Sequence, residues 1–178
     1  MIEAPPFQYD VNVRTLPRSG RQERFDAPVE VRERLARDNG VVSIDRLVAT
    51  AHLVPWQRGG VHVTGRVEAD IVQPCAVSGQ PLRTAIEETI DLVFVPEGSA
   101  LAAPRRDEHG EIVFDPLGDD LPEPFSGDSI DLAALWCEFL TLGIDPNARA
   151  PGATFDAAEH GDAAPDSPFA VLATLRKH

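Results

Sequence analysis

Residues 61–71 read Val61-His62-Val63-Thr64-Gly65-Arg66-Val67-Glu68-Ala69-Asp70-Ile71. In an extended chain successive side chains point to opposite faces. Val61, Val63, Val67, Ala69 and Ile71 therefore share one face, and His62, Thr64, Arg66, Glu68 and Asp70 share the other. One apolar face and one wet face is the pattern of an antiparallel sheet packed on a single side. This stretch decides the fold class: a sheet that needs an apolar cover.

Working outward, residues 41–54 are rich in β-branched residues and end at Pro55, before the turn-like Gly59-Gly60. Downstream, the turn-rich Pro74-Cys75-Ala76-Val77-Ser78-Gly79-Gln80-Pro81 leads to a second alternating stretch. There Ile86, Ile90, Leu92 and Phe94 are interleaved with Glu87, Thr89 and Asp91. Three long strands joined by short loops predict an antiparallel meander, because sequential strands usually pair.

The cover is predicted at Leu132, Leu135, Trp136, Phe139 and Leu140, whose spacing makes one apolar stripe on a helix. Ser129 is the expected N-cap, Asp131 falls in the first turn and Gly143 marks the stop. Packed on the meander, this helix completes an α+β core with a partly open, barrel-like sheet.

Ahead of the meander, Phe7 to Val13 alternates like a strand and an arginine-rich stretch follows, with Arg14, Arg18, Arg21 and Arg24. Asp26 is the expected cap of a helix reaching about Asn39, with Pro28 in its first turn and Gly40 ending it. Glu30–Arg34 and Glu33–Arg37 stand four apart in the favourable order. Residues 96–127 are acidic and rich in Pro and Gly, with one apolar piece, Ile112-Val113-Phe114: a loop over the sheet edge, or an unstructured stretch.

The expected organisation is a core domain over residues 1–146, an Ala/Pro/Gly/Asp-rich linker over 147–166, and a short helical motif over 167–178. In that motif Ser167 and Pro168 suit the N-cap and first position, and Phe169, Leu172 and Leu175 form an apolar side. A helix so short is marginal alone in water, so it must dock on this domain or on a partner.

Bulk numbers narrow the function classes. The net charge is -13, unevenly spread: residues 1–60 carry nine Arg against eight acids, while residues 61–178 carry seven basic residues against 21 acids. A surface that acidic repels phosphate, so any direct RNA contact is expected from Arg18, Arg21, Arg24, Arg32, Arg34 and Arg37. The plainer reading of these arginines is a solvated helix face. No apolar run approaches the roughly 20 residues of a membrane span. The start has no secretory pattern, and two cysteines cannot build a disulfide framework, so the cytoplasm is the expected compartment.

Catalytic chemistry has little to stand on. Gly127-Asp128-Ser129-Ile130 resembles the Gly-Asp-Ser nucleophile block of a lipase and esterase family. No His in the chain has an Asp three residues upstream to serve as base. Cys75 is followed at the Cys-x-x-Cys position by Ser78, and Cys137 lies 62 residues away. That spacing does not suit zinc. No Gly-rich phosphate loop is present, and the acids of residues 115–123 lack the spacing of a calcium hand. No catalytic residue, metal or cofactor is expected.

Three blocks in order resemble one family. They are Gly65-Arg66-Val67-Glu68-Ala69-Asp70-Ile71-Val72-Gln73-Pro74-Cys75 with Val77-Ser78-Gly79-Gln80-Pro81; Ile130-Asp131-Leu132 with Glu138 and Leu140-Thr141-Leu142; and Ser167-Pro168-Phe169-Ala170-Val171-Leu172-Ala173-Thr174-Leu175-Arg176-Lys177. This order resembles the YceD family, the large ribosomal RNA subunit accumulation proteins, over about residues 40–95, 129–146 and 165–178. The resemblance implies a bacterial cytoplasmic, non-enzymatic factor needed for accumulation of 23S ribosomal RNA. It makes Phe169, Leu172 and Leu175 the expected anchors for a partner: a ribosome-assembly or RNA-processing protein, or the large-subunit precursor. Many members carry Cys-x-x-Cys where this chain has Cys75-Ala-Val-Ser78, and residues 145–151 offer no further cysteine. Direct RNA binding, and a hydrolase at Ser129, are the alternatives.

Overall fold

The structure, a computed structural model, describes residues 5–102 and 121–153. Its centre is the expected meander: β3 (Ser43–Pro55), β4 (Val61–Pro74) and β5 (Pro81–Pro96), paired antiparallel in sequence order. β4 runs its alternation as read from the sequence. Val61, Val63, Val67, Ala69 and Ile71 are buried, and the residues between them are not. Two further strands extend the sheet, β2 (Arg21–Asp26) outside β3 and β6 (Glu123–Phe125) parallel to the end of β5. The sheet stays open, which with its two helices makes the fold α+β.

Gly65 shows why the middle of the sheet needs a glycine. A Cβ there would drive into the carbonyl oxygen of Thr50 and lie 3.0 Å from the Ala51 Cα. The missing side chain lets β3 and β4 approach closely at mid-length.

The cover is α2 (Leu132–Leu142), packed on β4 and β5. Its predicted stripe is the buried face: Leu132 and Leu140 are fully buried and Trp136 is 2% exposed, with Phe139 packed beside them. Burying one such side chain contributes roughly 1.5–3 kcal/mol, so this stripe is the main apolar load on the sheet. The helix stops where expected, though not through a left-handed glycine. Gly143 has φ -74°. A Cβ there would lie 2.5 Å from Ile86 Cγ2 and 2.9 Å from Glu88 Cγ, so the residue is small because β5 runs against it.

The N-cap of α2 corrects the sequence reading. Asp131, not Ser129, caps the helix: its Oδ1 accepts from the N–H groups of Ala133 (2.9 Å) and Ala134 (3.1 Å). Ser129 instead belongs to β7 (Ser129–Asp131), which pairs with β1 (Asp10–Asn12) as a separate two-stranded ribbon. That pairing uses the backbone of residues 129–131 and moves the helix start past them.

The first forty residues differ most from expectation. Only Asp10–Asn12 of the anticipated strand is extended, and Val13–Thr15 turns as a 3₁₀ segment. Arg21–Asp26 is a strand and Asp26 is no helix cap: its carboxylate takes both Arg24 nitrogens at 3.0 Å. α1 (Val29–Asp38) starts from Pro28 with no side-chain cap and ends at Asn39, just before Gly40. Strand β2 hides from a hydrophobic reading because Phe25 is its only large apolar residue. Phe25 stacks on Phe7 at 4.3 Å and on Trp136 at 5.9 Å, while Tyr9 meets Trp136 edge-on at 4.9 Å. This aromatic stack ties the N-terminal strap and β2 to α2.

Candidate functional site

Three groups of residues compete for a functional role. The first is the turn after β4. Cys75 is 2% exposed, and its sulfur accepts from the Ala150 N–H at 3.4 Å. Its N–H donates to the Gln80 carbonyl at 2.8 Å and its carbonyl accepts from Gly79 N–H at 2.9 Å, closing a tight turn. The Ser78 hydroxyl first, then the N–H groups of Ala150, Ser78 and Val77, stabilise a thiolate and lower the Cys75 pKa to about 6. Cys137 goes the other way: burial first, then Asp131 and Asp38, push it up to about 12.

The start of the linker-like stretch is fastened to this turn. Gln73, 3% exposed, donates to the Asp145 carbonyl at 3.1 Å, and Ala76 N–H donates to the Ala148 carbonyl at 2.8 Å. Composition alone gives no hint of this docking, because backbone groups make it. A metal does not fit here. Ser78 replaces a second thiol, residues 145–150 present a backbone N–H to the sulfur, and no group of three potential ligands lies together among the described residues.

The second group is the arginines proposed for RNA contact, and the structure disperses them. Arg21 and Arg24 stand opposite Leu53 and Thr50, three residues apart on one strand and so on opposite faces of the sheet. Arg21 pairs with Glu23, and Arg24 with Asp26. Arg32 is a structural pin, donating to the carbonyls of Ala27 (3.2 Å), Ile44 (2.9 Å) and Asp45. Arg34 pairs with Asp38 at 3.7 Å, while Arg18 and Arg37 are exposed. A shallow hollow of about 470 Å³ lies over Gly65 on the outer face, with Arg24, His52 and Arg66 on its wall. Its Arg66 is bound to Glu68 (3.3 Å) and Glu87 (3.1 Å). The wet face is laced with polar pairs, the ion pair Arg46–Glu68 at 2.9 Å and a His62–Asp91 hydrogen bond at 2.6 Å among them. The Arg46 hydrogen bond, more than any other influence, holds Glu68 below the usual carboxylate range.

The third group is acidic and was not read from the sequence. Glu138 on α2 stands close enough to Glu123 on β6 for their charges to interact, while Glu88 on β5 lies against Gly143, well down the strand from the Phe94 that faces Glu123. No basic side chain pairs with any of them among the described residues. Burial, and secondly the charge of Glu138, hold Glu123 above its ordinary range. Glu123 and Glu138 come from different elements, so only folding brings them together. Ser129, held in β7, has no histidine among its hydrogen-bond partners in the described residues. The anchors Phe169, Leu172 and Leu175 lie outside the described residues.

The family model described as "Large ribosomal RNA subunit accumulation protein YceD" matches residues 63–176. The chain belongs to the YceD family. No curated protein and no solved structure matches it. The YceD match begins inside β4 and takes in the Cys75 turn, β5, β6, β7, α2 and the C-terminal segment. It leaves out β1 to β3 and α1, and with them every one of the six arginines. Glu88, Glu123, Glu138 and the three anchor residues all fall within it. Among the described residues no helix is long and apolar enough to cross a membrane.

Proposed function

We propose that the protein is a non-catalytic ribosome-biogenesis factor, working in the cytoplasm, that supports accumulation of 23S ribosomal RNA and large-subunit assembly through protein partners. The observation that carries this reading is the YceD match over residues 63–176. Charge favours protein over RNA as the direct partner. Phosphate binding needs a cluster of uncommitted Lys and Arg. Here the N-terminal arginines are spread over both sheet faces and a helix, and most are held by acids or carbonyls. The net charge of -13 adds long-range repulsion from RNA.

In this reading Phe169, Leu172 and Leu175 make an anchoring contact with a ribosome-assembly or RNA-processing protein. The decisive test is the level of 23S ribosomal RNA in a strain lacking the protein. A selective fall against 16S ribosomal RNA is expected, and unchanged 23S would overturn the proposal. Deleting residues 165–178 should lower 23S in the same way while leaving the thermal transition of the domain in place.

A further inference from the structure

β5 is paired with β4 along its length, from Pro74↔Pro81 to Val61↔Phe94, with no register shift. On its outer side β6 covers only Phe94, Val95 and Pro96. Residues 81–93 therefore have no strand on that side among the described residues, a free edge of about 40 Å at the usual rise. Such an edge presents a row of unpaired N–H and C=O groups and is a template for another strand. It also carries apolar surface. Leu142, at the end of α2 that lies against Ile86 and Glu88, is 69% exposed, and Leu121, just before β6, is 54% exposed. Its uncommitted charge is acidic: Glu123 and Glu138 lie close together at the β6 end, and Glu88 stands further along β5 beside Gly143. None has a cation among the described residues, and Arg83 is already held by Asp45 at 2.9 Å.

We propose that the outer edge of β5 is a docking site for an extended, basic polypeptide segment of a partner protein, which adds as a strand and neutralises Glu88, Glu123 and Glu138. Strand addition supplies the main-chain hydrogen bonds, and alternate side chains choose the partner. Lys or Arg at every second position meets the acids on the side covered by α2, and the residues between them turn to the opposite face of the sheet. A segment of this chemistry belongs to proteins that otherwise neutralise RNA phosphate. The inference rests on the reading of a factor that acts through protein partners, and it names the surface and the partner's chemistry.

The test uses the full-length chain and a synthetic peptide of about twelve residues alternating Arg with Val or Thr, followed by amide hydrogen exchange. Expected are slowed exchange confined to the alternate amides of residues 82–93 that face away from β4, and affinity weakened about tenfold or more in the Glu88→Lys, Glu123→Lys, Glu138→Lys variant. A peptide of the same charge, N-methylated at alternate amides, should not bind the unaltered protein; this arm needs no variant to fold. Absent binding, or binding that survives N-methylation, overturns the proposal. So does slow exchange, in the free monomer, of the alternate amides of residues 82–93 that β4 does not bond, which would mean that the edge is already covered. Protection that rises with protein concentration alone would give the edge to a second copy and overturn it too. A variant that loses the peptide but restores normal 23S in cells overturns this inference and leaves the proposed function standing. Unchanged 23S in a strain without the protein overturns that function instead.

Discussion

The two edges of the sheet are built on opposite principles. The β2 edge is short, six residues, and its charges are settled within the strand, Arg21 with Glu23 and Arg24 with Asp26. Phe25 locks it to Trp136 and Phe7, and Tyr9 donates a 2.7 Å hydrogen bond to Glu23. The β5 edge is long, is covered by three residues of β6, and has Glu88 and the Glu123–Glu138 pair spaced along it with no cation among the described residues. The difference separates structural charge from available charge. An arginine-rich strand looks like an RNA site in the sequence and proves to be self-satisfied. Glu88, Glu123 and Glu138 drew no notice in the sequence, yet they are the acids left without a cation beside β5 among the described residues.

The largest effect should come from the lock on β2. Trp136→Ala removes the ring on which Phe25 and Tyr9 pack and should cost about 3–5 kcal/mol in urea unfolding. A cost below about 1 kcal/mol would mean that the β2 edge is held no more firmly than the other. Next is Gly143→Ala, which pushes a methyl into Ile86 at the β5 side. Overpacking of this kind costs about 1–3 kcal/mol, and a neutral result would show that α2 and β5 separate without penalty. Asp131→Ala should then cost about 1 kcal/mol through loss of the cap of α2, while Ser129→Ala should cost less than half of that. The reverse order would restore Ser129 as the cap.

The smallest effect concerns the acids themselves. A carboxyl whose folded-state pKa is raised weakens the fold once ionised, so stability falls as pH climbs from the ordinary glutamate range through the raised value. Burial and Glu138 raise Glu123 in this way. Glu123→Gln should therefore stabilise the protein at pH 7 by about a few tenths of a kcal/mol, screened by solvent, and have no effect below about pH 4. Equal effects at both pH values would mean that the charge of Glu123 is not the cause.

Period-two alternation exposed β4 and β5 in the sequence, because their two faces differ sharply in polarity. Helical spacing exposed α2 for the same reason. β2 was illegible since Phe25 is its only large apolar residue, and its place is set by pairing with β3 instead. The true cap of α2 was masked because Ser129 and Asp131 are both good capping residues, and the choice depends on the remote pairing of β1 with β7. Residues 145–150 look like linker because backbone groups fasten them to the Cys75 turn. The acids of the β5 edge were invisible for the simplest reason. Glu123 and Glu138 are neighbours only in space.

The central claim, that the acidic edge works and the N-terminal arginines do not, can be tested by complementation in a strain lacking the protein. One variant carries Glu88→Lys, Glu123→Lys and Glu138→Lys; the other carries Arg18→Gln, Arg24→Gln and Arg37→Gln, each expressed at the normal level. The account predicts that 23S ribosomal RNA falls with the first variant and stays normal with the second. A fall with the arginine variant alone would contradict it.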